Sequence, residues 1–297
     1  MSLVVNTNVA SMNAQRSLIA SSKELQSAME RLSTGKKINS AADDAAGFAI
    51  AESMTAQVRG LSMAAKNAND ALGLLKVVEN ATNDVTDMLQ RIRELAVQAA
   101  SGTNSDTDVS NLQLEAEALM DEITRVSSDT SYNGTFYLAA SGSTNAVSVQ
   151  VGYNDGDVIQ VQTYDVSASK LGTSDSTGTL TISLTGGTAA QISAGSHNAA
   201  GYLDISKDGA LAVISDAIDQ VASYKAEWGA GQNRLQYTVA NLMNVVEFTT
   251  AARSRIQDAD FAVEAARLAK AQVLQQTGTA MLAQANAAPQ LALQLLK

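Results

Sequence analysis

The chain has 297 residues, enough for one or two domains with a substantial core, yet only 4% of them are aromatic. Its apolar residues are mainly Ala, Val, Leu and Ile, which suit close packing of helices. The net charge of -10 argues against nucleic acid and anionic membranes as partners, because no basic cluster is present to neutralise phosphates.

The sequence also lacks cysteine and lacks any segment typical of a secretory signal or a membrane span. The chain has no cysteine, which excludes disulfides and thiolate metal sites. Its first residues lack the basic and apolar segments of a secretory signal, and no window reaches the roughly 18 apolar residues of a membrane span. If the protein leaves the cell, we expect it to do so by another route.

The first helical pattern runs from about residue 4 to residue 32. It places Leu18, Leu25 and Leu32 seven residues apart, with Met29 at heptad spacing between the last two. So narrow an apolar seam predicts a partner helix. Gly35 follows the seam and is expected to end the helix in a left-handed turn.

A second helical pattern resumes at about residue 41 and contains the clearest signal in the chain. Apolar residues there alternate by three and four, at Ala71, Leu74, Val78, Ala81, Val85, Met88, Ile92, Leu95 and Ala99. This seam would span about 42 Å at the rise of an α-helix, which favours coiled-coil-like packing. Polar residues 101–104 should end the helix, and Asp106 or Asp108 is the expected N-cap of a third helix.

The middle of the chain changes from helical to strand periodicity. Residues 132–135 predict a turn, and the alternating segments 147–151 and 159–163 predict a β-hairpin closed by a turn at 154–156. Apolar residues at 180, 182 and 184 indicate one more exposed strand. We interpret about 140–205 as a short surface insert.

Helical periodicity returns after the insert and continues almost to the end of the chain. Gly229 and Gly231 lie inside this pattern and could loosen the helix locally. The last helical segment covers about residues 260–284, with a break expected near Pro289 before an apolar tail.

Residues with catalytic potential are few. His197, the single histidine, lies among Gly, Ser and Ala and is predicted to be a solvated loop residue. Asp43 and Asp44 are neighbours on the chain and would point about 100° apart on a helix, so a helix-start or ion-pairing role is favoured over a carboxylate dyad. We expect no catalytic residue, no metal and no cofactor, and therefore no enzyme.

Six segments near the two ends carry a family resemblance. The N-terminal ones are RLSTGKKINSAADDAAG at 31–47, QRIRELAVQ at 90–98 and YNG at 132–134; the C-terminal ones are GAGQNRL at 229–235, ARSRIQDAD at 252–260 and MLAQAN at 281–286. In this order they resemble the terminal signatures of bacterial flagellins. The resemblance covers roughly residues 1–138 and 208–297.

The resemblance implies a mainly α fold, a long helical coiled-coil bundle formed by the paired N- and C-terminal segments, with a small β-hairpin region in the middle. Residues 1–43 and 258–297 would form the inner terminal coiled-coil domain. Residues 44–257 would form a helix-bundle domain with the β-hairpin, including the insert at about 140–205. Because that insert is short, the chain resembles a short form that lacks large outer domains.

The implied function is that of an extracellular subunit that polymerises into the flagellar filament, a helical homopolymer used for swimming. The resemblance also implies export of the unfolded chain through the flagellar type III apparatus, an export chaperone, a filament cap protein and hook-associated junction proteins as partners. Two alternatives remain at this stage: a hook-filament junction protein with similar termini, and an enzyme carried in the insert, against which the lone histidine argues.

Two sets of site residues follow from the resemblance. Inner-core assembly is expected to involve the apolar residues Leu18, Leu25, Leu32, Leu274, Met281 and Leu282. Contact with a host Toll-like receptor is implied at Gln90, Arg91, Leu95, Gln98 and Glu115. Arg91 and Glu115 fall off the apolar seam, as exposed contacts should, whereas Leu95 falls on it and could be core instead.

Overall fold

The computed structural model describes residues 7–139, 144–174, 180–186, 197–198 and 200–294. The helices are α1 (Val9–Thr34), α2 (Ala45–Ala99), α3 (Asp106–Asp129), α4 (Ala210–Gln257) and α5 (Phe261–Gln294). The strands are β1 (Ser131–Tyr132), β2 (Thr135–Phe136), β3 (Thr144–Gln150), β4 (Val158–Tyr164), β5 (Gly172–Ser174) and β6 (Leu180–Ser183). They form three two-stranded antiparallel sheets, β1–β2, β3–β4 and β5–β6, so the predicted mainly α class with a small β region is confirmed.

The chain divides into two compact units, one made of the two ends of the sequence and the other made of the continuous stretch between them. One unit contains Met1–Arg59 and Val245–Lys297, and the other contains Gly60–Asn244. The boundaries fall inside α2 and α4, so both long helices contribute to each unit. In the described part of the chain, no helix is both long enough and apolar enough to cross a bilayer.

In the terminal unit, α1 and α5 pair in antiparallel fashion. Asn8 bonds to Ala285 at one end of the pair and Arg31 bonds to Glu264 at the other, so the residue numbers run in opposite directions. As predicted, α1 ends at Gly35, which has a φ of 69° and donates its N–H to the Arg31 carbonyl. Just beyond, the connecting segments also pair, through a bridge between Lys36 and Asp258.

The expected break near Pro289 is wrong, because α5 continues through it to Gln294. A proline inside a helix removes one N–H, the one that would bond to the carbonyl four residues earlier. Here that carbonyl belongs to Ala285, and it accepts a hydrogen bond from Asn8 Nδ2 at 2.7 Å. The polar group exposed by the proline is therefore satisfied from the partner helix.

The start of α2 confirms a helix-start role for Asp44, whereas Asp43 bonds to the segment that precedes the helix. Asp44 Oδ1 accepts from the Gly47 N–H at 3.0 Å, in the first turn of the helix. The Asp43 carboxylate accepts from the backbone N–H groups of Ser40 and Asn39, which lower its pKa below the ordinary value. From there α2 runs unbroken for 55 residues.

The core of the second unit is built on the predicted seam of α2. Every member of that seam is buried except Met88, which is partly buried, so the prediction is confirmed. Helix α3 packs its buried Ala116, Met120 and Ile123 into the same core. Its N-cap is Ser105 rather than an aspartate: Asp108 instead completes a capping box by bonding to the Ser105 backbone.

Three short hairpins follow from turn chemistry and alternation. Asn133 and Gly134 both have positive φ, 51° and 78°, as a two-residue type I′ turn requires between β1 and β2. The predicted hairpin at 147–163 is confirmed, with Val149 opposite Ile159 in β3 and β4. The strand expected at 180–184 is present as β6, but Leu184 after it is buried rather than exposed.

Candidate assembly surface

The paired terminal helices expose an unusual number of large apolar side chains. Those on α1 are Val9, Met12, Ile19 and Met29, and those on α5 are Phe261, Val263, Val273, Leu274 and Met281. Ile19 is 69% exposed and Met281 is 64% exposed. Soluble monomers keep most of their large apolar side chains covered, and a concentration of exposed ones marks a site of protein interaction.

The six residues expected to serve inner-core assembly divide into two groups. Leu18, Leu25, Leu32 and Leu282 are partly buried, whereas Leu274 and Met281 are exposed. The first group therefore lies in or beside the seam of the α1–α5 pair, whereas Leu274 and Met281 are exposed along the groove between the two helices. This division follows from helix geometry, since one side of each helix must face its partner.

Close approach of the two helices depends on small residues. A Cβ added at Gly278 would lie 3.2 Å from Leu18 Cδ1, so the backbone of α5 approaches this leucine closely. Beside this contact lies a groove of about 560 Å³. Alanines line it from both helices, two serines line it from α1, and Leu274 and Met281 line it from α5.

A charged cluster closes the other end of the pair. Glu264 is buried, with only 5% of its side chain exposed. Its Oε1 lies 3.4 Å from Arg31 Nη1 on α1 and 2.9 Å from Arg267 Nη1 on its own helix. Two guanidinium groups thus compensate one buried carboxylate, as burial of a charge demands.

The second set of predicted residues lies on α2 and α3. Arg91 Nε and Nη2 bond to Glu115 Oε1 at 2.9 and 2.8 Å, and Nη1 bonds to Glu94 Oε2 at 3.0 Å. These bonds, the one to Glu115 foremost, raise the pKa of Arg91 above its ordinary value. Half of the Arg91 side chain is exposed. The geometry therefore joins Arg91 and Glu115 in one exposed polar cluster.

The other three residues expected to contact a receptor are not all exposed beside Arg91 and Glu115. Gln90 and Gln98 are exposed, but Leu95 is completely buried in the core. Leu95 is therefore a core residue, which was the alternative that its position on the seam allowed. Two exposed apolar residues, Val97 and Leu114, were not singled out from sequence, because an isolated apolar residue off a seam carries no signal of its own.

The histidine does not behave as a solvated loop residue, and that prediction is wrong. His197 is only 3% exposed, and its Nε2 lies 2.8 Å from the Ser183 carbonyl. Its backbone pairs with Leu203, and the adjacent Asn198 bonds to Glu117 on α3. The polar composition around His197 predicted exposure, but the contacts of His197 with the backbone of Ser183 and Leu203 hold it in a buried position. In the described residues, no group of three or more His, Asp or Glu side chains could hold a metal.

Sequence reasoning also missed a polar cluster at the end of the terminal pair. Asn8 Nδ2 bonds to the Ala285 carbonyl, and Ser11 Oγ lies 2.8 Å from Asn286 Oδ1. One signal was available: Pro289 lies four residues after Ala285, so a helix through the proline leaves that carbonyl in need of a donor.

Comparison with known proteins agrees with this architecture. Residues 5–143 match the bacterial flagellin N-terminal helical region, and residues 211–296 match the bacterial flagellin C-terminal helical region. The chain is 40% identical to flagellin of Bacillus subtilis over 99% of both chains. It is 35% identical to flagellin A of Vibrio anguillarum over all of both chains; that alignment spans 381 positions, so this chain is the shorter form.

A solved structure described as a flagellar hook-associated protein from Vibrio parahaemolyticus is also similar. It superposes with a TM-score of 0.56 on 73% of this chain and all of that chain, at 16% identity, which shows a shared fold and no more.

Long terminal helices that pair and still expose large apolar side chains are typical of a subunit that assembles with other chains. The family matches and the full-length relatives say which one: the chain belongs to the bacterial flagellin family, the structural subunits of the extracellular flagellar filament. A hook-filament junction protein would share this fold, but the chain is similar in sequence to flagellins over its full length, which favours the flagellin family.

Proposed function

We propose that α1 and α5 form the inner wall of the filament and that neighbouring copies bury their exposed apolar faces. The observation that carries this proposal is that nine large apolar side chains remain exposed on two helices that already contact each other. Residues 1–43 and 258–297 then form the inner terminal coiled-coil domain, and residues 44–257 form the helix-bundle domain with the β-hairpin.

Point substitutions on the outward face test this proposal. Val273→Ser removes a side chain that is exposed in the single chain. Loss of its burial between subunits should cost about 1 kcal/mol and raise the critical concentration for polymerisation about fivefold, measured by sedimentation of seeded filaments. The matched control is Gln272→Ser, an exposed polar position next to it. Equal critical concentrations for the two variants would contradict the proposal.

Truncation tests the same proposal more coarsely. The unit Gly60–Asn244 has its own buried core, so deletion of about 30 residues from either end should leave a folded monomer. Such a monomer should unfold cooperatively, as followed by the fluorescence of Trp228, and should form no filaments. Filaments seen by electron microscopy from either truncation would overturn the assignment of the termini to the inner wall.

We further propose that the chain serves swimming motility after export in an unfolded state through the flagellar type III apparatus. A chaperone would cover α5 before assembly, and growth would occur beneath a cap protein on a base of hook-associated junction proteins. Two features support this: the chain has no cysteine to cross-link it in a channel, and α5 exposes apolar side chains that need cover.

The chaperone step has a direct test on α5. Val263→Ser combined with Leu274→Ser should weaken binding of the export chaperone at least tenfold by calorimetry, because both side chains are exposed anchors. Lys270→Ser, at an exposed polar position of the same helix, should bind as the parent does. Undiminished binding by the double variant would show that the chaperone uses another surface.

A second candidate activity concerns host recognition. We propose that Arg91, Glu115, Gln90 and Gln98 form a contact surface for a Toll-like receptor. The exposed ion-pair cluster supports it, because arginine is enriched among dominant contacts at interfaces. Arg91→Ala monomer should stimulate receptor signalling about tenfold less than the parent. Arg125→Ala is the matched control, since Arg125 also makes exposed ion pairs, on α3. Signalling by Arg91→Ala at the parental level would refute the proposal.

A further inference from the structure

The proline inside α5 has a consequence for the pairing of the two terminal helices. Pro289 has no N–H, so the carbonyl of Ala285 cannot receive the hydrogen bond that a helix normally supplies. The donor comes instead from the N-cap of α1, where Asn8 Nδ2 lies 2.7 Å from the Ala285 oxygen. One amide of the N-terminal segment thus replaces the amide that the proline lacks.

The other half of the Asn8 side chain is also engaged. Asn8 Oδ1 accepts from the Ser11 N–H at 3.0 Å and caps the start of α1. Ser11 is buried, and its hydroxyl donates to Asn286 Oδ1 at 2.8 Å, one residue after the carbonyl that Asn8 binds. The start of α1 is therefore held against one turn of α5 by two hydrogen bonds between helices.

The other side chains at this end of the seam do little to set the alignment of α1 against α5. The groove between the helices is lined on α1 by Ala10, Ala14, Ala20 and several small polar residues, which resemble one another from turn to turn. Repetitive seams of this kind tolerate slippage by a helical turn unless a polar residue penalises the wrong alignment. A slip of about 5.4 Å would separate Asn8 from Ala285 and leave the carbonyl without a donor.

We propose that Asn8 and Pro289 form a register lock, in which the proline creates an unsatisfied acceptor on α5 and Asn8 fills it only in the correct alignment. Asn8 is then a positioning residue for filament assembly, since the alignment of α1 and α5 decides which apolar side chains face neighbouring copies. The proposal rests on the pairing of the terminal helices that underlies the proposed inner wall.

Two substitutions separate the lock from ordinary helix capping. Asn8→Asp keeps an oxygen that caps α1 but has no N–H for Ala285. Pro289→Ala restores the backbone N–H that α5 lacks, so Ala285 no longer needs Asn8. If Asn8 and Pro289 form a register lock, Asn8→Asp should disturb the alignment of α1 and α5 in the parent chain but not in the Pro289→Ala background. If Asn8 only caps α1, Asn8→Asp should leave the alignment unchanged in both backgrounds.

Engineered disulfides report the alignment directly, because the chain has no cysteine of its own. Leu18→Cys with Gly278→Cys joins positions in contact in the correct alignment, and Leu18→Cys with Leu282→Cys joins positions one turn apart. The yields are compared in assembled filaments under mild oxidation. Asn8→Asp should shift the ratio of aligned to slipped disulfide about fivefold toward the slipped form, and Pro289→Ala should remove the dependence on residue 8.

The possible outcomes are distinguishable. If Asn8→Asp filaments keep the parental ratio, or if Pro289→Ala does not abolish the effect, the lock is wrong. If Asn8→Asp prevents assembly altogether, recovery of assembly in the Asn8→Asp, Pro289→Ala double variant supports the lock, and failure of both variants overturns it. If the aligned pair fails to cross-link even with Asn8 and Pro289 in place, the helix pairing itself, and with it the proposed inner wall, is wrong.

Discussion

Gln220 on α4 binds both backbone groups of Gly172 in β5. Its Nε2 donates to the Gly172 carbonyl at 2.7 Å, and its Oε1 accepts from the Gly172 N–H at 3.3 Å. Gln113 on α3 makes the same kind of contact, donating to the Leu203 carbonyl and accepting from the Ile205 N–H, both at 3.0 Å. In each case a helical amide side chain takes the place of a neighbouring strand, which stabilises the backbone of the short insert.

Gln220→Glu should destabilise the protein because it keeps the acceptor and loses the donor to Gly172. The carbonyl would then face a carboxylate, at a cost of about 1 to 3 kcal/mol in the free energy of unfolding. Urea denaturation followed by the fluorescence of Trp228, the single tryptophan, measures this cost. Gln90→Glu, at an exposed position of α2, should change stability by less than about 0.5 kcal/mol. Matching midpoints for the two variants would mean that the Gly172 contact contributes nothing.

Alkaline pH should destabilise the aromatic cluster on α4 and β4. The Tyr164 ring stacks on Tyr224 at 4.1 Å, and its hydroxyl bonds to the Glu227 carboxylate. Burial first, and then Glu227, raises the pKa of Tyr164 to about 12. The unfolded chain releases this proton near pH 10 while the folded chain retains it, so the stabilisation is complete below pH 10 and is lost between pH 10 and about 12.

The pH dependence is measured as the free energy of unfolding across that window. Tyr164→Phe should make the alkaline decline less steep, because phenylalanine has no proton to release; Tyr224 and Tyr202, whose pKa values are also raised, should keep the rest of the decline. Tyr237→Phe, at the most exposed tyrosine position of α4, serves as the control and should leave the decline unchanged. An identical slope for Tyr164→Phe and the parent would rule out Tyr164 as its source.

Two glycine-to-alanine substitutions should act in opposite directions. A Cβ at Gly47 would lie 2.5 Å from Asp44 Oδ2 and 2.7 Å from Ile38 Cδ1, so Gly47→Ala should cost about 1 to 3 kcal/mol. A Cβ at Gly229 meets nothing within 4 Å inside α4, so Gly229→Ala should stabilise by about 0.5 to 1 kcal/mol. Thermal denaturation checks both, and a stabilising Gly47→Ala would contradict the crowding at the start of α2.

Removal of the buried carboxylate should weaken the α1–α5 pair. Glu264→Ala leaves Arg31 without its partner in a largely buried position and should cost about 2 kcal/mol, seen as a lower dissociation temperature of filaments. Arg267→Ala is the matched control, because 58% of the Arg267 side chain is exposed and its loss should cost under about 1 kcal/mol. Equal effects would indicate that Arg31 and Glu264 are not paired in the filament.

Much of the fold could be predicted from local patterns. The seam from Ala71 to Ala99, the helix end at Gly35 and the turn at Asn133 and Gly134 are each set by periodicity or backbone preference within a few residues. Local patterns could not show which residues are contacted by segments distant in sequence. His197 is buried and α5 continues through Pro289 because segments distant in sequence supply the contacts that each needs.

The same division holds for the surfaces. Helical periodicity determines which side of a helix a residue occupies. It correctly predicted that Arg91 and Glu115, which lie off the apolar seam, are exposed, and it placed Leu95 on the seam, where the structure buries it. It could not show that Arg91 and Glu115 bond to each other, or that Glu264 lies between two arginines, because those contacts depend on how separate helices pack.

The sequence by itself therefore determined that two apolar ends of this chain form long helices that must be covered, and its motifs assigned those ends to a flagellar filament subunit. Only the tertiary structure decided which residues pair them: Asn8 with Ala285 at one end and Arg31 with Glu264 at the other. The physical reason is that an apolar heptad pattern determines which face of a helix packs against its partner, but not how the two helices are aligned along their length. That alignment is set by polar groups, because each one must find a hydrogen-bonding partner when it is buried.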